Sequence, residues 1–298
     1  MSLNLPSHYV VSYSSNIQLL LQEKGSKLRS CVTEGHYVGK QASPVDQVGA
    51  VEMTPVTQRF APKGRTDAAV DRRWVFPSDF DLPQQIDSFD KLRLLTDPES
   101  VYVTNAVYAA GRKMDALIIT AFLATAKTGV DGTTSTSFTA GNEVDVAVGG
   151  SNSVLNVAKL LQVKRIMRAN HVDFEMDPVY CALTARDEEG LLNEIQIISS
   201  DFNGQDAPVM RDGKISRFLG IDFVYCEQTE VTGAGTNECN IPVWAKSGMH
   251  LGIWNDVETS ITRRYDLQGN PWEAYLYLTI GATRIEENKV YNIESYRA

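Results

Sequence analysis

The most regular hydrophobic pattern in the chain lies between residues 98 and 128. Apolar or small side chains recur there every three or four residues, which is the spacing of one face of an α-helix. The residues on this face are Val103, Val107, Ala110, Met114, Leu117, Ala121 and Ala124. Asp97 can cap the helix, Pro98 suits its first position, and Glu99 favours its positive end. The pattern predicts a helix over 98–128, a rod about 46 Å long at 1.5 Å per residue.

A second pattern, between residues 41 and 80, is typical of an extended hairpin. The stretches 47–58 and 67–76 are rich in residues that favour strands, and the sequence Ala-Pro-Lys-Gly-Arg at 61–65 predicts a turn between them. Few of the side chains are apolar, and a two-stranded hairpin alone is marginally stable in water. We therefore expect the hairpin to pack on another surface, either in this chain or in a neighbouring copy.

The rest of the chain mixes helices and strands, which indicates an α+β protein. Residues 1–40 predict an arm with a short amphipathic helix at 15–25 and too little apolar surface for a core of its own. Helices are predicted at 153–170, capped by Ser151 or Asn152, and at 186–192, and strands at 179–184, 195–199, 218–226, 272–280 and 289–296. Apolar residues at 272–280 alternate with Glu273, Tyr275, Tyr277 and Thr279, which predicts one buried and one tyrosine-rich face.

The composition is that of a folded protein with an acidic balance. The 298 residues are 43% hydrophobic, and 28 Lys and Arg face 37 Asp and Glu, for a net charge of -9. This balance disfavours a uniformly basic nucleic-acid binder, because such binding needs cations that displace counterions from phosphates. The N-terminus has no basic and apolar leader, and no apolar run is long enough to span a bilayer. We expect a chain that folds in a cytoplasm without membrane contact.

Residues that could carry chemistry are scattered rather than clustered. The four histidines lack the spacing of a zinc site, and the four cysteines include no CxxC pair. No GxSxG motif occurs, and the glycine pair at 149–150 lacks the lysine of a phosphate-binding loop. Adjacent carboxylates such as Glu286 and Glu287 are expected to be solvated. The sequence thus predicts no catalytic, cofactor-binding or metal-binding residue and no cofactor, and it favours a protein that is not an enzyme.

The predicted hairpin is locally basic within this acidic chain. Between residues 59 and 76 only Asp67 and Asp71 oppose five cations, which are Arg59, Lys63, Arg65, Arg72 and Arg73. The charges either keep a solvated hairpin edge from aggregating or dock on an acidic neighbour. Both interpretations stay open at this point.

The order of the predicted parts resembles the major capsid proteins of tailed bacteriophages, which have the Hong Kong 97 fold. The segments 178–192 and 197–202 look like the strand–helix–strand unit of the A-domain in that family, and 243–252 and 281–290 look like its closing segments. The resemblance covers nearly the whole chain. It implies an N-terminal arm (1–40), an E-loop hairpin (41–80), a P-domain with a spine helix at 98–128 (81–130), an A-domain (131–255) and returning P-domain strands (256–298).

The resemblance also implies a function. Copies of the chain would assemble into hexamers and pentamers of an icosahedral phage head, in the host cytoplasm, and the head would enclose double-stranded DNA contacted without sequence specificity. The expected partners are other copies of the chain, a portal and a separate scaffolding protein. Because residues 1–40 are shorter than the scaffolding extension of some relatives, the resemblance implies scaffolding by a separate protein or none. The subunit interface is expected to involve Arg59, Lys63, Arg65, Asp67, Asp71, Arg72, Arg73, Trp74, Asp97 and Glu99.

Two alternatives stay open at the level of sequence. An encapsulin-like shell protein has the same fold without a genome, and packaged DNA would separate the two. A soluble two-domain α+β enzyme would need a preformed pocket with perturbed titratable groups, and it would leave the hairpin, which cannot fold alone, unexplained.

Overall fold

The computed structural model describes residues 22–40, 42, 46–55, 59, 64–86, 99–148, 150–194, 210–211, 214–229 and 238–297. The helices in these residues are α1 (Glu99–Leu123), α2 (Val157–Ala169) and α3 (Ala185–Leu192). The strands are β1 (Thr33–His36), β2 (Asp46–Val48), β3 (Val70–Trp74), β4 (Ser78–Ile86), β5 (Ala126–Thr128), β6 (Thr134–Thr136), β7 (Glu143–Val144), β8 (Val179–Leu183), β9 (Met210–Arg211), β10 (Lys214–Ile215), β11 (Arg217–Phe218), β12 (Ile221–Tyr225), β13 (Glu238–Ala245), β14 (Met249–Arg263), β15 (Trp272–Arg284) and β16 (Val290–Tyr296). The predicted mixture of α and β elements is confirmed. The predicted strand at 195–199 and the first part of the predicted helix at 15–25 lie outside the described residues, and the described residues 22–25 are not helical.

The described strands form a large sheet and three smaller ones. The largest has the order β11-β12-β8-β13-β16-β7, in which β12 is parallel to β8 and β13 is antiparallel to both β8 and β16. The others are β1-β14-β15-β4, β2-β3-β5-β6 and the pair β10-β9. Pro83 lies in β4, at an edge of its sheet, which is where sheets tolerate the missing N–H of proline.

The main core joins the largest sheet to helices α2 and α3. β13 buries every residue after its first, and α2 contributes Leu160, Val163 and Met167 to the same apolar cluster. The predicted helix at 186–192 is confirmed as α3, which begins in a capping box between Thr184 and Asp187. The described residues within 1–25, 79–112 and 255–278 form one compact unit, and those within 26–78, 113–254 and 279–298 form another.

The long helix is confirmed at its start but is shorter than predicted. α1 ends at Leu123 rather than at 128, because residues 126–128 form β5 and pair with β3 and β6. Its buried face includes Ala106, Ala110, Met114, Ile118, Ile119 and Phe122, whereas Val107, which we expected on that face, is exposed. Among the described residues, no helix combines the length and apolar character needed to cross a membrane.

Helix α2 starts later than predicted because a different residue caps it. The side chain of Asn156, rather than Ser151 or Asn152, accepts a hydrogen bond from the backbone N–H of Lys159 at 2.9 Å. Lys159 is itself buried, and its Nζ donates to the carbonyl oxygens of Ser153 at 2.6 Å and Glu294 at 2.8 Å. Burial lowers the pKa of Lys159 to about 8.

The C-terminal strands agree with the predicted alternation except at one position. Ala274, Leu276, Leu278 and Ile280 are buried in β15 as expected. Glu273 is also buried, because Arg264 pairs with its carboxylate at 3.0 Å. The last strand, predicted at 289–296, is confirmed as β16. The 15-residue strand β14 was not predicted, since its second half is polar and mostly exposed and so lacks an apolar alternation.

Candidate subunit interface

The predicted hairpin exists at its base, as a short antiparallel pair of strands. β2 and β3 place Asp46 opposite Arg72 and Val48 opposite Val70. The regular strands are shorter than the predicted stretches 47–58 and 67–76, because the described residues between Val48 and Val70 form no ladder. Most of the predicted turn, including Lys63, lies outside the described residues.

One face of this strand pair combines an exposed apolar pair with a surface ion pair. Side chains alternate along a strand, so Asp46, Val48, Val70 and Arg72 share a face. Val48 and Val70 are 69% and 71% exposed. Arg72 Nε donates to Asp46 Oδ1 at 2.5 Å and Nη2 donates to Oδ2 at 3.1 Å, and these hydrogen bonds raise the pKa of Arg72. We call Asp46, Val48, Val70 and Arg72 the outer face.

The opposite face of β3 points toward the interior of the protein. Arg73, next to Arg72, is only 5% exposed, and its Nη1 lies 3.4 Å from Glu287 Oε1. Its Nε donates to the side chain of Gln47 at 3.4 Å. The sequence reading of Glu287 as a solvated carboxylate is therefore wrong, since its side chain is 13% exposed and lies beside this guanidinium. Arg73 serves the base of the hairpin within its own chain, and its contact with a neighbour stays a prediction.

Trp74 and Asp71 hold the hairpin base on the turn between β5 and β6. The indole Nε1 of Trp74 donates to the carbonyl oxygen of Gly129 at 2.7 Å, and Asp71 Oδ1 accepts from the Gly129 N–H at 3.2 Å. Gly132 has a φ of +67°, and a Cβ there would lie 2.9 Å from the Trp74 ring. Both the positive φ and the close approach of the indole therefore require glycine at position 132.

The remaining predicted interface residues are dispersed. Arg65 pairs with Asp67 at 2.7 Å on the surface, Arg59 is exposed in a turn, and Glu99 begins α1, while Lys63 and Asp97 lie outside the described residues. Of the five hairpin cations, Arg65, Arg72 and Arg73 have acidic partners inside the chain. These partners reduce the local charge excess within the chain. The exposed valine pair, which sequence reasoning did not single out, is the stronger candidate contact.

Comparison with known proteins agrees with the fold and identifies the family. The family model described as "Phage capsid protein" matches residues 5–296. The capsid of cyanophage Pam1 superposes with a TM-score of 0.73 at 10% identity, covering 99% of this chain and all 100% of that one. The capsid of Ralstonia phage GP4 gives 0.71 at 12% identity over 100% and 98% of the two chains.

A third solved structure, the capsid of cyanophage P-SCSP1u, gives a TM-score of 0.71 at 14% identity over 97% of this chain and 94% of its own. No curated protein sequence matches the chain. The predicted resemblance to the major capsid proteins of tailed phages is confirmed. This chain belongs to the phage capsid protein family, and its role is structural, as a component of a virion.

Proposed function

We propose that copies of this chain assemble into hexamers and pentamers that form the icosahedral head of a tailed phage around double-stranded DNA. A closed container needs a subunit that makes repeated contacts with copies of itself, and symmetry lets one surface serve many times. Family membership and the capsid folds of its structural neighbours support the repeated subunit.

The outer face of the hairpin is the observation that carries the proposal. Its base is fixed inside the chain through Arg73 and Trp74, while Val48 and Val70 stand side by side in solvent. Val51 and Met53, directly after β2, are also exposed. Exposed apolar side chains grouped together and rimmed by charge are typical of protein contact sites. The occupant is a neighbouring copy of the chain.

The charged residues of the hairpin affect the orientation of this contact more than its affinity. Surface pairs such as Asp46 with Arg72 contribute little to affinity, because water screens them. The charged side chains around Val48 and Val70 disfavour any contact that leaves one of these charges without a partner. They therefore determine how two copies align at the contact. The acidic positions Asp97 and Glu99 of the neighbouring copy are the proposed partners of the hairpin cations.

The remaining partners follow from the head as a container. A net charge of -9 for the chain favours weak binding of phosphates, so packaged DNA would be contacted without sequence specificity. Assembly would occur in the host cytoplasm with a portal and a separate scaffolding protein.

The test replaces residues 50–68 by Asn-Gly. The N–H of Gly49 donates to the carbonyl oxygen of Ala69 at 2.6 Å, and a two-residue turn suits strands that end at such a hydrogen-bonded pair, so β2, β3 and the anchors Arg73 and Trp74 are retained. The shortened chain should fold but should give soluble species no larger than a capsomer in sedimentation and negative-stain microscopy. Shells of normal size from this variant would refute the role of the hairpin in assembly.

A further inference from the structure

We infer that Arg284, Glu287 and Arg73 form a buried ionic relay that joins the C-terminal end of α1 to the base of the hairpin, with the link between Glu287 and Arg73 as the one that releases first. The relay is a property of the single chain and goes beyond the proposed function. Its three members come from β15, the turn after β15, and β3.

The first part of the relay caps the long helix from inside the protein. The last carbonyls of an α-helix have no partner within the helix and form its negative end. α1 has no basic residue in its last turn. Arg284, which is 0% exposed, instead donates from Nη1 to the carbonyl oxygens of Phe122 at 2.6 Å and Ala124 at 2.8 Å. Its guanidinium also lies 5.3 Å from the ring of Phe138.

The second part is a carboxylate placed between two guanidinium groups. Glu287 Oε2 accepts a hydrogen bond from Arg284 Nε at 2.7 Å, and Glu287 Oε1 lies 3.4 Å from Arg73 Nη1. Burial lowers the pKa of Arg284, and the charge of Glu287 opposes that shift. Without the carboxylate, two cations would be buried without a counter-charge, which is strongly destabilising.

The two links of Glu287 differ in kind. Its contact with Arg284 is a charge-assisted hydrogen bond, whereas Nη1 of Arg73 and Oε1 of Glu287 are buried but make no hydrogen bond. Charge-assisted hydrogen bonds are the stronger class. A displacement of the hairpin therefore breaks the Arg73 contact first and leaves the cap on α1 in place.

Hydrogen exchange on the full-length, unassembled chain tests the relay. Arg73→Met keeps the length of the side chain and removes its charge. It should speed exchange of the amides at 46–48 and 70–74 at least about tenfold and leave 290–296 within about twofold. Arg72→Met is the matched control, because Arg72 is the adjacent residue on the outer face. Its exposed pair with Asp46 is screened by water, so the control should speed exchange at 46–48 and 70–74 by no more than about fivefold and leave 290–296 within about twofold.

A second variant separates a relay from a local contact. Glu287→Gln touches neither β2 nor β3 in sequence, yet it should speed exchange at 46–48 and 70–74 and also at 119–123. Arg73→Lys, which restores a cation, should recover most of the protection of the hairpin. Equal effects of Arg72→Met and Arg73→Met, uniform acceleration across the chain, or an unchanged hairpin in Glu287→Gln would each overturn the relay.

Discussion

The outer face of the hairpin leads to a prediction that separates assembly from folding. The change is the double substitution Val48→Thr and Val70→Thr, which keeps side-chain volume and strand preference but replaces a methyl group by a hydroxyl on each residue. Both side chains already face solvent in the single chain, at 69% and 71% exposure. The free energy of unfolding of the unassembled protein should therefore change by less than about 0.5 kcal/mol.

Association should weaken much more. Complete burial of a valine contributes about 1.5–3 kcal/mol, and the exposure of Val48 and Val70 leaves roughly two thirds of this, about 1–2 kcal/mol each, to be gained only under a neighbour. A threonine hydroxyl buried there without a partner costs a similar amount. The double variant should lose roughly 2–4 kcal/mol per contact, which is about 30-fold to 1,000-fold in each association constant.

The assay compares wild type and variant by sedimentation velocity and light scattering across a concentration series, with thermal unfolding recorded in parallel. Val38→Thr is the control, because Val38 is 99% exposed and lies outside the hairpin. We expect that only the double variant raises the protein concentration at which assembly begins. Assembly at the wild-type concentration by the double variant, or an equal shift in Val38→Thr, would refute the reasoning.

Three further predictions concern the single chain. Met114→Ala should cost about 2–5 kcal/mol of unfolding free energy, because Met114 is 2% exposed in α1, whereas the exposed control Lys113→Ala should change it by less than about 0.5 kcal/mol in chemical denaturation. Asp115→Ala should cost at least about 3 kcal/mol in the same assay, since the buried carboxylate accepts hydrogen bonds from three donors in the segment before β1, and Asp115→Asn should recover part of the loss. Burial lowers the pKa of His250 from 6.5 to about 4. The neutral imidazole therefore contributes up to roughly 3 kcal/mol to the free energy of unfolding above pH 6.5, and this contribution is lost as the pH falls toward 4. In His250→Asn the free energy of unfolding should no longer fall in this way between pH 6.5 and 4.

The sequence predicted elements whose signal is local and repetitive. The helical spacing of α1, the short helix at 186–192 and the alternation of β15 each lie within one stretch of chain, and the structure has a helix or a strand at each place. The end of α1 was wrong because Lys127 pairs with Trp74 across two strands, which is a tertiary contact that no local pattern records. β14 was missed because its outer half has no apolar face to repeat.

At the candidate interface, too, local features could be predicted from the sequence and tertiary contacts could not. The hairpin and its cations could be found by counting charges, but their partners could not. Asp46 lies 26 residues before Arg72, and Glu287 lies far along the chain from Arg73. The only available signal for the outer face was the valines at 48 and 70, which by themselves resemble any strand residues. Their exposure is decided by what the rest of the chain leaves uncovered.

The central claim is that this chain is a shell subunit that associates with copies of itself. Negative-stain electron microscopy of the intact chain, expressed alone and concentrated after purification, tests it most directly. We expect closed shells of uniform diameter, built from rings of six and of five subunits. A folded chain that stays monomeric at every concentration and salt condition would contradict it.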